Sequence, residues 1–205
     1  LGSALSANTQ ENSNQISDNL THRLNLNAKY EIDKGNDFQL RSTLTASSSS
    51  LNNAGFRETA GANGSLINSL QSEYLSDGDQ LGGDASLTWR KRLTEKGRSL
   101  VATVSANLND SDRNGNLNSS TGFFDPNNVA SYEEISQFQA SLGNTLSQTQ
   151  RISLTEPIGK GRVIELKGER RSINEDQDKT VYDLVGGAQV LNDLLSNGLD
   201  RTYTY

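Results

Sequence analysis

Residues 20–32 read Leu-Thr-His-Arg-Leu-Asn-Leu-Asn-Ala-Lys-Tyr-Glu-Ile, and this stretch decides the fold. Its even positions are apolar apart from His22, and its odd positions are polar or charged. Successive side chains of a strand point to opposite faces, so this period-two alternation predicts a strand with one apolar face. The Asp-Lys-Gly-Asn-Asp run at 33–37 predicts a tight turn, after which the alternation resumes at Phe38. The first hairpin is therefore predicted over about residues 20–46.

The same unit occurs twice more along the chain. Apolar and polar residues alternate over about residues 85–108 and again over about 137–172, and each block contains a short turn with glycine. A further strand is predicted to start near residue 200. Residues 1–16 are predicted as a polar lead-in or loop, and residues 17–205 as part of one all-β domain of antiparallel up-and-down hairpins.

The connections between these strands differ in length. Lys34, Lys96 and Lys160 mark three short turns, whereas long segments rich in Asn, Ser, Gly and Asp separate the hairpins. The long segments cover residues 47–84, 109–136 and 174–200. Short turns at one end of a sheet and long loops at the other are typical of bacterial transmembrane barrels. The asymmetry predicts short periplasmic turns and long extracellular loops.

The two faces of the predicted strands favour lipid over a soluble sandwich. Strands of about 9–12 residues match the length that crosses a bilayer at a tilt. The polar face fits a water-filled barrel interior and includes Arg23, Lys29, Arg41, Arg90 and Arg92. Tyr30 and Trp89 lie near short turns, where they belong either to an aromatic girdle at the membrane interface or to ordinary strand packing.

The composition excludes several other classes of protein. Leu, Ile, Val and Phe make up 46 of the 205 residues, or about 22%, which is little for an ordinary globular core. No apolar stretch is long enough for a membrane helix, and the chain has no cysteine for a disulfide, thiolate site or thiol nucleophile. A net charge of −6 argues against nucleic acid as a partner.

Sites for catalysis or cofactors are weakly indicated, and we predict that the chain is not an enzyme and holds no cofactor. His22 is the only histidine, and no Gly-x-Ser-x-Gly nucleophile elbow lies near it. The Gly-Lys-Gly run at 159–161 lacks the spacing of a phosphate-binding loop and is interpreted as a turn.

A possible calcium loop begins at Asp110. Asp110, Asp112 and Asn114 occupy the first, third and fifth positions of such a loop and Gly115 the sixth, but Thr121 replaces the bidentate glutamate at the twelfth. A hydrated turn at a loop tip is the favoured interpretation, and no metal site is predicted. The Asp-Gly-Asp run at 77–79 is a weaker instance of the same pattern.

Several short motifs resemble those of a known family. Residues 19–33 resemble an early hairpin of the outer-membrane β-barrel family of Bacteroidota, whose members look like TonB-dependent receptors. Residues 96–100 and 155–160 are similar to periplasmic turns of that family, and residues 194–199 to a segment that precedes a strand. The resemblance covers roughly residues 17–205.

This resemblance implies a large barrel in the bacterial outer membrane, of which we expect the chain to be a piece. It also implies a plug domain encoded upstream and energised uptake of a ligand, with the TonB complex and a surface lipoprotein as partners. The alternative is a secreted, soluble β-rich domain for binding or adhesion, with the apolar stripes packed as a sandwich core.

Overall fold

The chain folds into a single antiparallel sheet of six long strands and two short ones. A computed structural model describes residues 7–125, 127, 129–159 and 161–205. The strands in chain order are β1 (Ala7–Asp33), β2 (Asn36–Gly61), β3 (Leu66–Arg92), β4 (Ser99–Phe124), β5 (Ala130–Gly159), β6 (Arg162–Val185), β7 (Ala188–Leu191) and β8 (Asn197–Thr204). The prediction of an all-β, antiparallel up-and-down fold is confirmed.

Each long strand pairs with its neighbours in sequence. The order across the sheet is β1 to β7, and β8 also pairs with β6, alongside the part of it that β7 leaves open. Within the described residues β1 and the β6–β8 edge do not pair with each other, so the sheet is open. In this part of the chain there is no helix long and apolar enough to cross a bilayer.

The segments predicted as hairpins, 20–46, 85–108 and 137–172, lie within three longer pairs of adjacent strands. In the first, Tyr30 lies opposite Phe38, and Gly35 has φ of 103° in the turn between β1 and β2. Only glycine adopts such a backbone conformation without steric cost. The β3–β4 turn around Lys96 and the β5–β6 turn near Gly159 close the other two hairpins at the same end of the sheet. Lys160, the third predicted turn marker, lies outside the described residues.

The prediction of long polar loops at the opposite end is wrong. Residues 47–84 continue β2 and β3 as a paired ladder with a tight turn at 62–65. The described residues of 109–136 continue β4 to Phe124 and begin β5 at Ala130, and these strands are paired up to Phe124 opposite Ala130. The long strands therefore have 24 to 30 residues, well beyond the predicted 9–12. Asn, Ser and Asp have low strand propensity, but a ladder with partners on both sides overrides such local preferences.

Two smaller predictions change for the same reason. Residues 7–16 of the predicted lead-in are the first part of β1, paired with the end of β2. The segment 174–200 was expected to be a long excursion; instead β6 runs to Val185 and turns through Gly186 and Gly187 into β7. The strand predicted near residue 200 is β8.

The sheet has two chemically different faces. One carries the even-numbered residues of β1, β2, β4, β5 and β6 and the odd-numbered residues of β3; the other carries the remaining residues. In β3 and β5 most side chains of the first face are exposed, whereas most of the second face are half-buried. This difference is expected of a sheet that curves around the second face, so we name the first the convex face and the second the concave face.

The sheet buries almost no apolar core. Val181 is the one large hydrophobic residue that is buried among the described residues, at 1% exposure. Large apolar side chains of the convex face remain open instead; Leu24 is 66% exposed and Leu166 is 64% exposed. Most of the exposed large hydrophobic side chains of the long strands are on this convex face.

Candidate functional site

The convex face carries an apolar band next to the short turns. Over β1 to β4 this band covers nine residues of each strand, at 24–32, 38–46, 81–89 and 100–108, and it continues on parts of β5 and β6. Its large aliphatic members are Leu24, Leu26, Ile32, Leu40, Leu44, Leu81, Leu87, Leu100, Val104, Leu108, Leu146, Ile152, Leu154, Ile164 and Leu166. Nine residues per strand match the 9–11 that cross a bilayer at a tilt.

Aromatic side chains lie in one row of this band, near the short turns. The rings of Phe38 and Trp89 stack with centroids 6.3 Å apart, and Tyr30 is paired directly with Phe38. The Trp89 indole Nε1 donates a hydrogen bond to Asn36 Oδ1 at 2.9 Å. Cross-strand packing of Phe38 and Trp89 is thus observed, while membership of Tyr30 and Trp89 in a membrane girdle stays a prediction.

The apolar band is interrupted on β5 and β6. Gln148 and Gln150 of β5 and Arg170 of β6 occupy convex positions, and Gln150 lies directly opposite Arg170. Of the three predicted hairpins, the third has the least regular alternation of apolar residues in the sequence. In the sheet, Gln148, Gln150 and Arg170 lie together within the apolar band, and we name this group the polar notch. Arg170 makes no ion pair among the described residues.

The concave face is polar, and five of its basic side chains form ion pairs among the described residues. All five basic residues predicted to line a wet interior lie on this face. Arg151 and Glu169 form an ion pair at 2.7 Å, and the guanidinium Nε of Arg201 donates to Glu175 Oε2 at 2.8 Å. Pairing of exposed charges across strands contributes little stability individually but keeps this face hydrated.

One ion pair lies beyond the band, at the short turns. Arg98, in the β3–β4 turn, donates hydrogen bonds to both carboxylate oxygens of Glu156 on β5. Hydrogen bonding by Arg98 is the main reason that the pKa of Glu156 lies below its ordinary value of 4.5. The pair connects two neighbouring hairpin ends.

The segment that resembles a calcium loop, starting at Asp110, is part of strand β4. Asp110, Asp112 and Asn114 lie in the middle of β4, and Gly115 continues the strand instead of bending the chain. Alternate residues of a strand project to one face about 6–7 Å apart without converging on a point. Both earlier interpretations, a calcium loop and a hydrated turn at a loop tip, are therefore wrong, because flanking strands hold this segment extended.

The weaker Asp-Gly-Asp motif lies beside it. Asp79 of β3 is directly opposite Asp112 of β4, and Asp77 is opposite Asn114. With neighbours on β1, β6 and β8 they form what we name the aspartate band, which follows the apolar band on the convex face. Its members are Asp18, Asp77, Asp79, Asp110, Asp112, Asp176, Asp178 and Asp200.

No group of three or more His, Asp or Glu side chains in the described part of the chain is arranged to hold a metal ion. Asp110 Oδ2 instead accepts a hydrogen bond from Asn144 Nδ2 at 3.0 Å. Sequence reasoning missed the aspartate band because its members come from five strands whose continuation was not recognised.

The remaining sequence candidates are also placed by the sheet. His22 lies on the convex face of β1, level with Ala46 and near Asp79 and Asp110 around a shallow cavity of about 300 Å³. Gly159 ends β5 and Gly161 follows with φ of 71°, as in a turn. Absence of an enzymatic activity stays a prediction.

Comparison with known proteins adds no family assignment. No protein-family model matches the chain, and a search of curated proteins found no match.

Proposed function

We propose that this chain is part of an outer-membrane β-barrel resembling TonB-dependent receptors, and that it takes part in ligand binding or uptake across the outer membrane. In this proposal the convex face contacts lipid acyl chains, and the concave face lines the water-filled interior. The bilayer is then a partner, and the resemblance adds the TonB complex and a surface lipoprotein. The observation that carries the proposal is the apolar band, nine residues long, on the exposed convex face.

The distribution of polarity between the faces supports this orientation. A sheet that packs on an apolar core places its hydrophobic residues on its less exposed face, whereas this sheet carries them on its more exposed face. Lipid-facing strands of a barrel require the second arrangement, because apolar residues face outward and polar residues face the lumen. Backbone groups in lipid are satisfied by neighbouring strands, and β2 to β5 are paired along both edges.

The aspartate band supports a boundary for the lipid contact. Carboxylates at the middle of a bilayer are costly, so eight aspartates in adjacent rows are expected outside the hydrocarbon region. On β4 the aspartate band starts at Asp110. This is two residues beyond Leu108, which is the last residue of the apolar band on that strand. The long continuation of the strands past this boundary would then stand outside the membrane.

A specific observation favours the alternative of a soluble β-rich binding or adhesion domain. The notch at Gln148, Gln150 and Arg170 interrupts the apolar band, and a polar notch fits a convex face that is covered by protein. In that case the covering layer would have to come from outside the described residues, which form one sheet.

Partitioning separates the two proposals. The chain is expressed with an export signal, and the membrane fraction is extracted with high salt and then with detergent. An outer-membrane barrel segment is expected in the detergent extract. Release of folded, monodisperse protein by salt alone would overturn the membrane proposal and support the soluble domain.

A further inference from the structure

A groove on the concave face is lined almost entirely by hydrogen-bonding side chains. It has a volume of about 460 Å³ and lies across β4, β5, β6 and β8. Gly143 forms part of its floor, where the absence of a side chain deepens the surface. Its neutral polar lining consists of Asn109, Ser111, Ser141, Thr145, Gln177 and Asn197.

Of the charged residues in the lining of this groove, Lys179 is at a concave position of β6, whereas Asp178 is at a convex position. Glu175, directly opposite Thr145 on the concave face, is paired with Arg201. Ser141 lies between Arg113 of β4 and Lys179 of β6, and Lys179 is in turn opposite Asn197 of β8. With strands about 4.8 Å apart, the two cationic residues start about 10 Å from each other. In the row of Gly143 the neighbours are Ser111, Gln177 and Leu199, so neither row carries a carboxylate on this face.

Several of these groups have unused hydrogen-bonding capacity. Ser141, Thr145 and Asn197 make no side-chain hydrogen bond with any other described residue, and Lys179 makes no ion pair there. Lys167, on the same strand and face, is by contrast paired with Glu165 at 3.0 Å. Amides and hydroxyls both donate and accept hydrogen bonds, which suits a ligand with many hydroxyl groups.

We infer that this groove binds a polyhydroxylated anion, a sugar bearing a phosphate or carboxylate group. The hydroxyls of the ligand would bond to Ser141, Thr145 and Asn197, and its acidic group would pair with Lys179. An apolar ligand fits poorly because Leu199 is the only apolar side chain of the lining at a concave position, and Lys179 at a concave position favours an anionic ligand. The inference deepens the proposed function and rests on it only in placing the groove inside a barrel.

The test uses isothermal titration of the whole chain in detergent micelles at low salt. The probes are glucose 6-phosphate, glucose and inorganic phosphate. Glucose 6-phosphate is expected to bind at least about ten-fold more tightly than either fragment, since both kinds of contact are needed. No binding of glucose 6-phosphate at millimolar concentration, or equal binding of inorganic phosphate, would overturn the inference.

Matched variants locate the site. Lys179→Gln is expected to weaken binding of glucose 6-phosphate about ten-fold, and Lys167→Gln to leave it unchanged. Gly143→Val is expected to abolish binding, because a Cβ there lies 2.9 Å from Ser111 Oγ and fills the floor, whereas Gly168→Val on the convex face does not. Equal effects of the two lysine changes, or of the two glycine changes, would contradict the site.

Membrane extraction of the same variants keeps the two proposals separable. Loss of binding by Lys179→Gln with unchanged detergent extraction supports the groove and leaves the membrane proposal intact. If salt alone releases the chain from the membrane fraction and the released chain binds glucose 6-phosphate, the groove is upheld and the membrane proposal is overturned.

Discussion

The half of the sheet next to the short turns and the half beyond the aspartate band use the same strands differently. Near the short turns, apolar side chains occupy the convex face and polar ones the concave face. Beyond the band, both faces of the strands are rich in Asn, Ser, Thr and Gln, as in residues 7–15 of β1 and 114–121 of β4. The hydrogen-bond ladder crosses from one half to the other without a break. Strand pairing therefore sets the length of the sheet, and side-chain chemistry decides which part of it carries an apolar face.

The largest expected effect comes from placing a charge in the apolar band. Leu87→Arg puts a guanidinium on the convex face of β3, where a lipid-facing arginine near the bilayer centre costs about 2–4 kcal/mol. The adjacent Thr88 is on the concave face, so Thr88→Arg is expected to cost less than about 1 kcal/mol. Denaturant unfolding in liposomes measures both, and equal losses would show that the two faces meet the same environment.

The stability of the half beyond the aspartate band is expected to depend on close packing of a tyrosine against a glycine. In β4, a Cβ on Gly115 would lie 2.5 Å from Tyr74 Oη and 2.9 Å from its ring, so the tyrosine would have to move. Gly115→Ala is expected to cost about 1–3 kcal/mol by overpacking.

Two controls accompany the Gly115 change. Gly168→Ala meets Ile152 at an ordinary 3.5 Å and is expected to cost less than Gly115→Ala. Adding Tyr74→Ala to Gly115→Ala should recover part of the loss, because it removes the clash. Absence of any recovery in the double variant would locate the strain elsewhere.

The polar notch allows the converse experiment, in which a charge is removed from the apolar band instead of added to it. Arg170→Leu extends the apolar band across β6 and is expected to raise stability in liposomes by up to about 2 kcal/mol, since the long side chain only partly escapes the bilayer. The neighbouring Arg171 lies on the concave face over the ring of Tyr205, with 6.0 Å to its centroid. Arg171→Leu is expected to cost about 0.5–1 kcal/mol. A loss of stability in Arg170→Leu would indicate a protein or water contact at the notch.

The smallest effect is the pH dependence of the hairpin ends. The pKa of Glu156 is lowered by Arg98, so this carboxylate stabilises the fold above its ordinary value of 4.5, and the contribution is lost as the pH falls below that value. Glu156→Gln is therefore expected to lower Tm at pH 7 and to have almost no effect at the acid end. A difference in Tm that does not shrink with falling pH would contradict this account.

The strands of the half near the short turns are predictable from the sequence, because apolar and polar residues alternate along them. Around Leu24 and Leu87 every second residue is apolar, which is the signal that a half-buried strand gives. From Asp110 to Ser120 the even-numbered residues of β4 are all Asp, Asn or Ser, which individually favour turns, and none is apolar. The Asn63-Gly64 pair, a strong hairpin-turn signal at the centre of the supposed loop 47–84, would have revealed the longer hairpin.

The candidate sites were less predictable than the hairpins. Asp110 and Asp112 resemble a calcium loop only when read along the chain; their register with Asp79 on the next strand is a property of the sheet. The groove at Gly143 draws on four strands, and the sequence separation of Asn109 and Asn197 hides their proximity. Cross-strand register, which local patterns do not encode, supplies both features.

Lipid contact of the convex face is the central claim, and fluorescence quenching tests it most directly. The chain has no cysteine, so single cysteines at each position from 81 to 90 of β3 carry one fluorophore each in liposomes. Brominated acyl chains are expected to quench the odd positions, which include Leu87, and to spare the even ones, which include Thr88. Uniform quenching along this strand, or none at any position, would contradict the account.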